Sequence, residues 1–96
     1  MVQIIWSNDA INWLHSISSY IAQDSPQAAN KVVSEILKKV EVLHDFPEIG
    51  QIYREEPDGV IRTILFGHYR IAYLIDKKHV TILGVFHGAM DMSRYL

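Results

Sequence analysis

The sequence predicts an α+β domain: an N-terminal strand and a two-helix antiparallel hairpin, the hairpin lying on one face of a four-stranded, mainly antiparallel sheet. Three observations lead to it. Apolar residues recur at intervals of three and four from Asn8 to Leu43, β-branched and aromatic runs fill Val60 to Phe86, and turn residues punctuate both regions. With 96 residues, 49% of them hydrophobic, the chain supports one core between two layers and is read as a single domain over residues 1–96.

Val2, Gln3, Ile4, Ile5 and Trp6 form a β-prone opening that Ser7 ends. Ser7 is placed to cap a helix beginning at about Asn8, Asp9 suits the positive helix end, and Trp6 with Ile11 has staple spacing. Ala10, Trp13, Leu14, Ile17, Tyr20 and Ile21 make its apolar stripe. Asp24-Ser25-Pro26 stops that helix and starts the next, since proline fits the first helical turn and Ser25 can cap it. In the second helix Ala29, Val32, Val33, Ile36, Leu37, Val40 and Leu43 share a face, and the short connection makes the pair an antiparallel hairpin.

Phe46-Pro47-Glu48-Ile49-Gly50 terminates the second helix, and Gln51 to Gly59 reads as a loop with at most a short strand at Ile52 to Arg54. Val60 to Phe66, Tyr69 to Ile75 and Val80 to Phe86 are then three strands, separated by Gly67-His68 and by Asp76 to His79. If both turns are two-residue hairpins, Arg70 and His87 share one sheet face while Arg62 lies on the other with Tyr69 and Tyr73. A bulge would change that alternation.

Composition excludes several classes of function. There is no cysteine, hence no disulfide and no thiolate metal site. No apolar run approaches the roughly 20 residues that span a bilayer, and Met1 to Trp6 lacks a charged lead-in and a cleavage site, so neither a membrane nor export is expected and the location is read as cytoplasmic. Residues 1–53 carry three Lys/Arg against six Asp/Glu and residues 54–96 carry six against five, which together give the net −2. Without a basic excess, strong direct nucleic-acid binding by the chain alone is not expected.

The five glycines are isolated, so there is no phosphate loop, and no Gly-x-Ser-x-Gly elbow is present. The histidines have no ligand spacing among themselves, and His87 with Asp91, the pair weighed as a metal site, lacks further ligands; no metal and no cofactor are expected. Glu55, Glu56 and Asp58 are loop acids that either supply a general base or are simply solvated. Arg54, Arg62, Arg70, His87, Arg94 and Tyr95 lie on or beside the meander. An arginine within an apolar strand carries a desolvation cost, so Arg62 and Arg70 either pair with carboxylates, as ion pairs pinning sheet to loop, or face a partner. Trp13, Ile17 and Tyr20 read first as core and second as an apolar groove beside the helix hairpin that a partner fills.

Trp6…Ala10…Leu14…Ile17…Tyr20-Ile21, Ser25-Pro26-Gln27-Ala28-Ala29, Leu43…Phe46-Pro47-Glu48-Ile49-Gly50, Val60-Ile61-Arg62, Tyr69-Arg70-Ile71-Ala72-Tyr73 and Ile82-Leu83-Gly84-Val85-Phe86-His87-Gly88 are spread in this order over nearly the whole chain. The order resembles that of the RelE/ParE superfamily of toxins from bacterial type II toxin–antitoxin modules. The resemblance implies a cognate antitoxin whose extended or helical tail wraps the toxin over the helix hairpin and sheet edge, with Trp13, Ile17 and Tyr20 as contact candidates. It also implies one of two targets. ParE-like members inhibit DNA gyrase. RelE-like members cleave messenger RNA on the ribosome, and for that activity Arg62 matches a charge-stabilising arginine, His87 approximates the acid and Glu55 or Glu56 is the candidate base. The Pro-Glu-Ile-Gly turn, the Tyr-Arg-Ile-Ala-Tyr strand, the His-Gly ending and a pI near 6.2 are more like the ParE side. A third reading is a non-toxic antitoxin-binding or regulatory module.

Overall fold

The computed structural model describes residues 2–96. Its elements are β1 (Gln3–Trp6), α1 (Asn8–Ala22), α2 (Pro26–Glu41), β2 (Gln51–Glu56), β3 (Gly59–Phe66), β4 (Tyr69–Ile75) and β5 (His79–His87), with 3₁₀ turns at Val42–His44 and Met92–Arg94. Both capping expectations hold: the Ser7 hydroxyl accepts from Ala10 N at 3.0 Å and that of Ser25 from Ala28 N at 3.1 Å.

The sheet order is β1-β5-β4-β3-β2. The sheet is therefore five-stranded rather than four-stranded, and mixed rather than mainly antiparallel, because β1 runs parallel to β5 with Ile4 opposite Val80 and Trp6 opposite Ile82. The added strand is β2, read from the sequence as a loop with at most a short strand at Ile52 to Arg54; it pairs antiparallel with β3 across the Pro57-Asp58 turn. Its pattern was masked by an irregularity between Ile52 and Arg54 and by the charges of an edge strand, Arg54, Glu55 and Glu56. The β3–β4 hairpin closes at Gly67-His68, where Gly67 has a φ of 57°, the left-handed region that glycine tolerates. At the β4–β5 turn Asp76 accepts from Lys78 N (2.7 Å) and His79 N (2.8 Å), and these bonds hold its carboxyl below the usual range.

The main core lies between the helices and one sheet face: Ala10, Ile36, Val40 and Leu43 meet Ile64, Ile71, Tyr73, Val80, Ile82 and Val85. His44 ties β1 to this layer, its Nδ1 donating to Val2 O at 2.7 Å while Val2 N donates to His44 O at 3.1 Å. Tyr20 does not belong to the core and is 74% exposed. At about 100° per residue Tyr20 lies about 80° around the helix from Ala10, at the margin of the stripe, where the sheet no longer reaches it.

Candidate functional site

Arg62 and Arg70 meet backbone carbonyls rather than the expected carboxylates, and the Nε of each is buried without a hydrogen-bond partner. Arg62 of β3 sits beside Tyr73 of β4 on the helix-covered face. Its Nη1 donates to Glu48 O (3.0 Å) and Gly50 O (2.7 Å), while the buried Tyr73 hydroxyl accepts from Gly50 N (2.9 Å) and donates to Pro47 O (2.8 Å). The two side chains thus pin the Pro-Glu-Ile-Gly turn onto the sheet. A side chain at position 50 would meet the Tyr73 hydroxyl at 2.5 Å and Thr63 O at 2.8 Å, so only glycine fits. Burial raises the Tyr73 phenol above its ordinary value, with the Gly50 hydrogen bond and the Arg62 charge opposing.

Arg70 and Arg54 share the opposite face with Ala72 and Phe86. Across that face runs the segment from Gly88 to Leu96, with Met92 buried against Ala72 and Phe86. Arg70 Nη2 donates to Met90 O at 2.9 Å. Arg54 holds Glu56 Oε1 through Nε (2.8 Å) and Nη2 (2.6 Å), and Nη2 also donates to the carbonyl oxygen of Leu96. β1 ends opposite Ile82, leaving room for α1 beside the rest of β5, and Trp13 closes the end of this second cluster. Its ring meets Phe86 at 4.9 Å and Tyr95 at 5.0 Å, both edge-on. Tyr95 stays half exposed at 51%, and Arg94 is exposed beside it.

His87 lies at the far end of β5, exposed, with its ring near His68 and Tyr69 at centroid separations of 6.4 and 6.0 Å. Its Nδ1 accepts from Ala89 N at 3.3 Å. The register corrects its expected face. The β4–β5 turn keeps the anticipated parity, but a bulge at Leu83 reverses it beyond Gly84, so His87 pairs with Tyr69 and Arg70 with Phe86. Arg62, Tyr69, Tyr73 and His87 consequently share one face and Arg70 lies on the other. Sharing a face does not bring them together: two strands and four residues separate Arg62 from His87, roughly 16 Å, and Glu55 is roughly 25 Å from His87 at the opposite end of the sheet.

The remaining candidates are also dispersed. Ile17 packs against the main core, Trp13 against Phe86 and Tyr95, and Tyr20 projects outward. Asp91 caps the last 3₁₀ turn, accepting from Ser93 N at 3.1 Å and Ser93 Oγ at 2.6 Å. Among the described residues no group of three or more histidine and carboxylate side chains gathers in a way that could hold a metal. No helix there is long and apolar enough to cross a membrane. Sequence reasoning missed the Tyr73 hydroxyl as the partner of the turn; the signal available was a tyrosine paired across the strands with an arginine, facing a turn that ends in glycine.

The family model described as the ParE toxin of type II toxin–antitoxin system, parDE, matches residues 4–92. A chain in the structure of the chromosomal ParDE TA system from P. aeruginosa is similar in fold, with a TM-score of 0.74 at 23% identity over 91% of this chain and 96% of that one. A chain in the structure of the YoeB dimer from Staphylococcus aureus gives a TM-score of 0.45 at 20% identity, covering 90% of this chain and 95% of that one. No curated protein matches the sequence.

Proposed function

We propose that this chain, which belongs to the ParE toxin family of type II toxin–antitoxin systems, arrests growth by inhibiting DNA gyrase in the cytoplasm and is held in check by a cognate antitoxin. The observation that carries this choice of target is the dispersal of the nuclease candidates. Cleavage of a phosphodiester by a neighbouring hydroxyl needs a base, an acid and a cation around one phosphate. Here the Arg62 guanidinium is engaged with two turn carbonyls, and His87 and Glu55 stand at opposite ends of the sheet. Inhibition by binding needs no such convergence, only a stable protein surface.

The exposed end of the segment stapled across the sheet is the natural part of that surface. Arg94 is exposed and makes no ion pair among the described residues, and Tyr95 stands beside it on a base of Trp13 and Phe86. Arg54 and Arg70 act as positioning residues, holding the segment from beneath through Leu96 and Met90. Supercoiling by purified gyrase is the direct test. The protein is expected to block it, Arg94→Ala to weaken the block at least tenfold with unchanged thermal stability, and His87→Ala to leave it intact. Undiminished supercoiling at protein in large excess over gyrase overturns the reading.

A further inference from the structure

The turn that Tyr73 and Arg62 clamp onto the sheet does not bury its own side chains. Its backbone is fixed at four points, Pro47 O, Glu48 O, Gly50 O and Gly50 N. Yet Asp45, Phe46, Glu48 and Ile49 are all exposed, Phe46 at 60% and Ile49 at 50%. Phe46 N donates to Val42 O at 3.0 Å and Ile49 N to Phe46 O at 3.3 Å, so the spacing of the preceding helical turns carries on through Val42, itself 41% exposed, to Phe46 and Ile49. Apolar side chains exposed singly need no explanation, but three in succession on a clamped backbone do. Aromatic anchors are enriched at the cores of protein interfaces, and fixing their backbone beforehand lowers the entropy cost of binding through them.

The charge around these side chains indicates what they meet. A concavity of about 420 Å³ is lined by Asp45, Phe46, Pro47, Glu48 and Ile49, with two carboxylates and no cation. Neither Asp45 nor Glu48 forms an ion pair among the described residues. Arg62, the cation bonded to this turn, is directed at the carbonyls of Glu48 and Gly50, and Lys39 lines a different groove that shares only Ile49 with this one. A second copy of the chain is a poor occupant, because a two-fold contact here sets Asp45 and Glu48 of one copy against those of the other. The complementary surface is an apolar pocket with a cationic rim. Proteins that grip DNA carry lysine and arginine in quantity to hold its phosphates, and gyrase is such a protein.

We infer that Val42, Phe46 and Ile49 are a preorganised apolar anchor for gyrase, received in an apolar pocket whose lysine and arginine rim pairs with Asp45 and Glu48. This rests on the gyrase reading above and adds to the Arg94–Tyr95 end a second contact, on the helix-covered side of the sheet. The anchor supplies affinity by burial, and the two carboxylates orient it and select the cationic rim.

The test is inhibition of supercoiling by purified gyrase, run beside binding to the protein encoded by the adjacent small reading frame. Phe46→Ala and Ile49→Ser should each raise the half-inhibitory concentration at least tenfold, and Asp45→Lys at least fivefold, with unchanged melting temperatures. Leu65→Ser, at an exposed position on the other sheet face, should stay within twofold, as should binding of all four variants to the adjacent-frame protein. Should Phe46→Ala melt lower than the wild type, Asp45→Lys decides, because a cation suits the helix end that it follows. Inhibition by the wild type with Phe46→Ala and Asp45→Lys equally potent overturns the anchor and leaves the gyrase reading intact. The inference is also overturned if these variants lose the adjacent-frame protein but keep gyrase inhibition, or if the free chain dimerises and Phe46→Ala makes it monomeric. A wild-type protein without effect on supercoiling removes the gyrase reading, and the inference with it.

Discussion

Arg62, Arg70 and Arg54 each direct a guanidinium at a main-chain carbonyl: Gly50, Met90 and Leu96 respectively. The sequence indicated that an arginine in an apolar strand needs a partner, because desolvating it alone is costly. It could not indicate carbonyls, since these come from a turn and a terminal segment that carry no periodic signal. Tyr73 is the more consequential case. Removing its hydroxyl leaves Gly50 N–H and Pro47 C=O without their buried partner, so Tyr73→Phe is expected to destabilise the protein by about 1–3 kcal/mol in urea unfolding. Its raised phenol pKa adds a pH signature. The folded state holds the proton more tightly than the unfolded one, so this contribution is complete below pH 10 and is lost as pH rises towards the folded value. Melting temperatures taken between pH 8 and 11 should fall more steeply for the wild-type protein than for Tyr73→Phe.

At the scale of elements, legibility followed local chemistry. α1, α2 and the three meander strands were readable because serine caps, a helix-initiating proline and runs of β-branched residues all act within a few residues. β2 was not, because an edge strand with a bulge and three charges in succession loses its alternation. Nor was the bulge at Leu83 readable. β5 is apolar towards both faces, with Ile82, Val85 and Phe86 all buried, so no polar residue reports the change of parity. Gly84 lies at that bulge, where an added Cβ would run into the Phe86 ring. Gly84→Ala is expected to cost about 1–3 kcal/mol of stability. Because Phe86 also supports Trp13 and Tyr95, the substitution should shift the tryptophan fluorescence of the folded protein. An unchanged spectrum and stability would mean that the second cluster is looser than described.

For the whole molecule, the two sheet faces have different tasks. One is filled by the helices and the clamped turn, and the other carries the segment that ends in Arg94 and Tyr95. The family was legible in the ordered fragments spread along the chain, and the family model agrees over residues 4–92. The target was less legible, because proximity between Arg62, His87 and Glu55 depends on strand register, which the sequence left conditional on a bulge. Their separation favours a toxin that binds rather than cleaves. The most direct measurement is paired pulse-labelling of new DNA and new protein in the minutes after induced expression. DNA synthesis is predicted to fail first, in wild type and in His87→Ala alike, with relief by the antitoxin. Protein synthesis stopping first, and only with His87 and Arg62 intact, would contradict the account and make the chain a ribosome-directed nuclease.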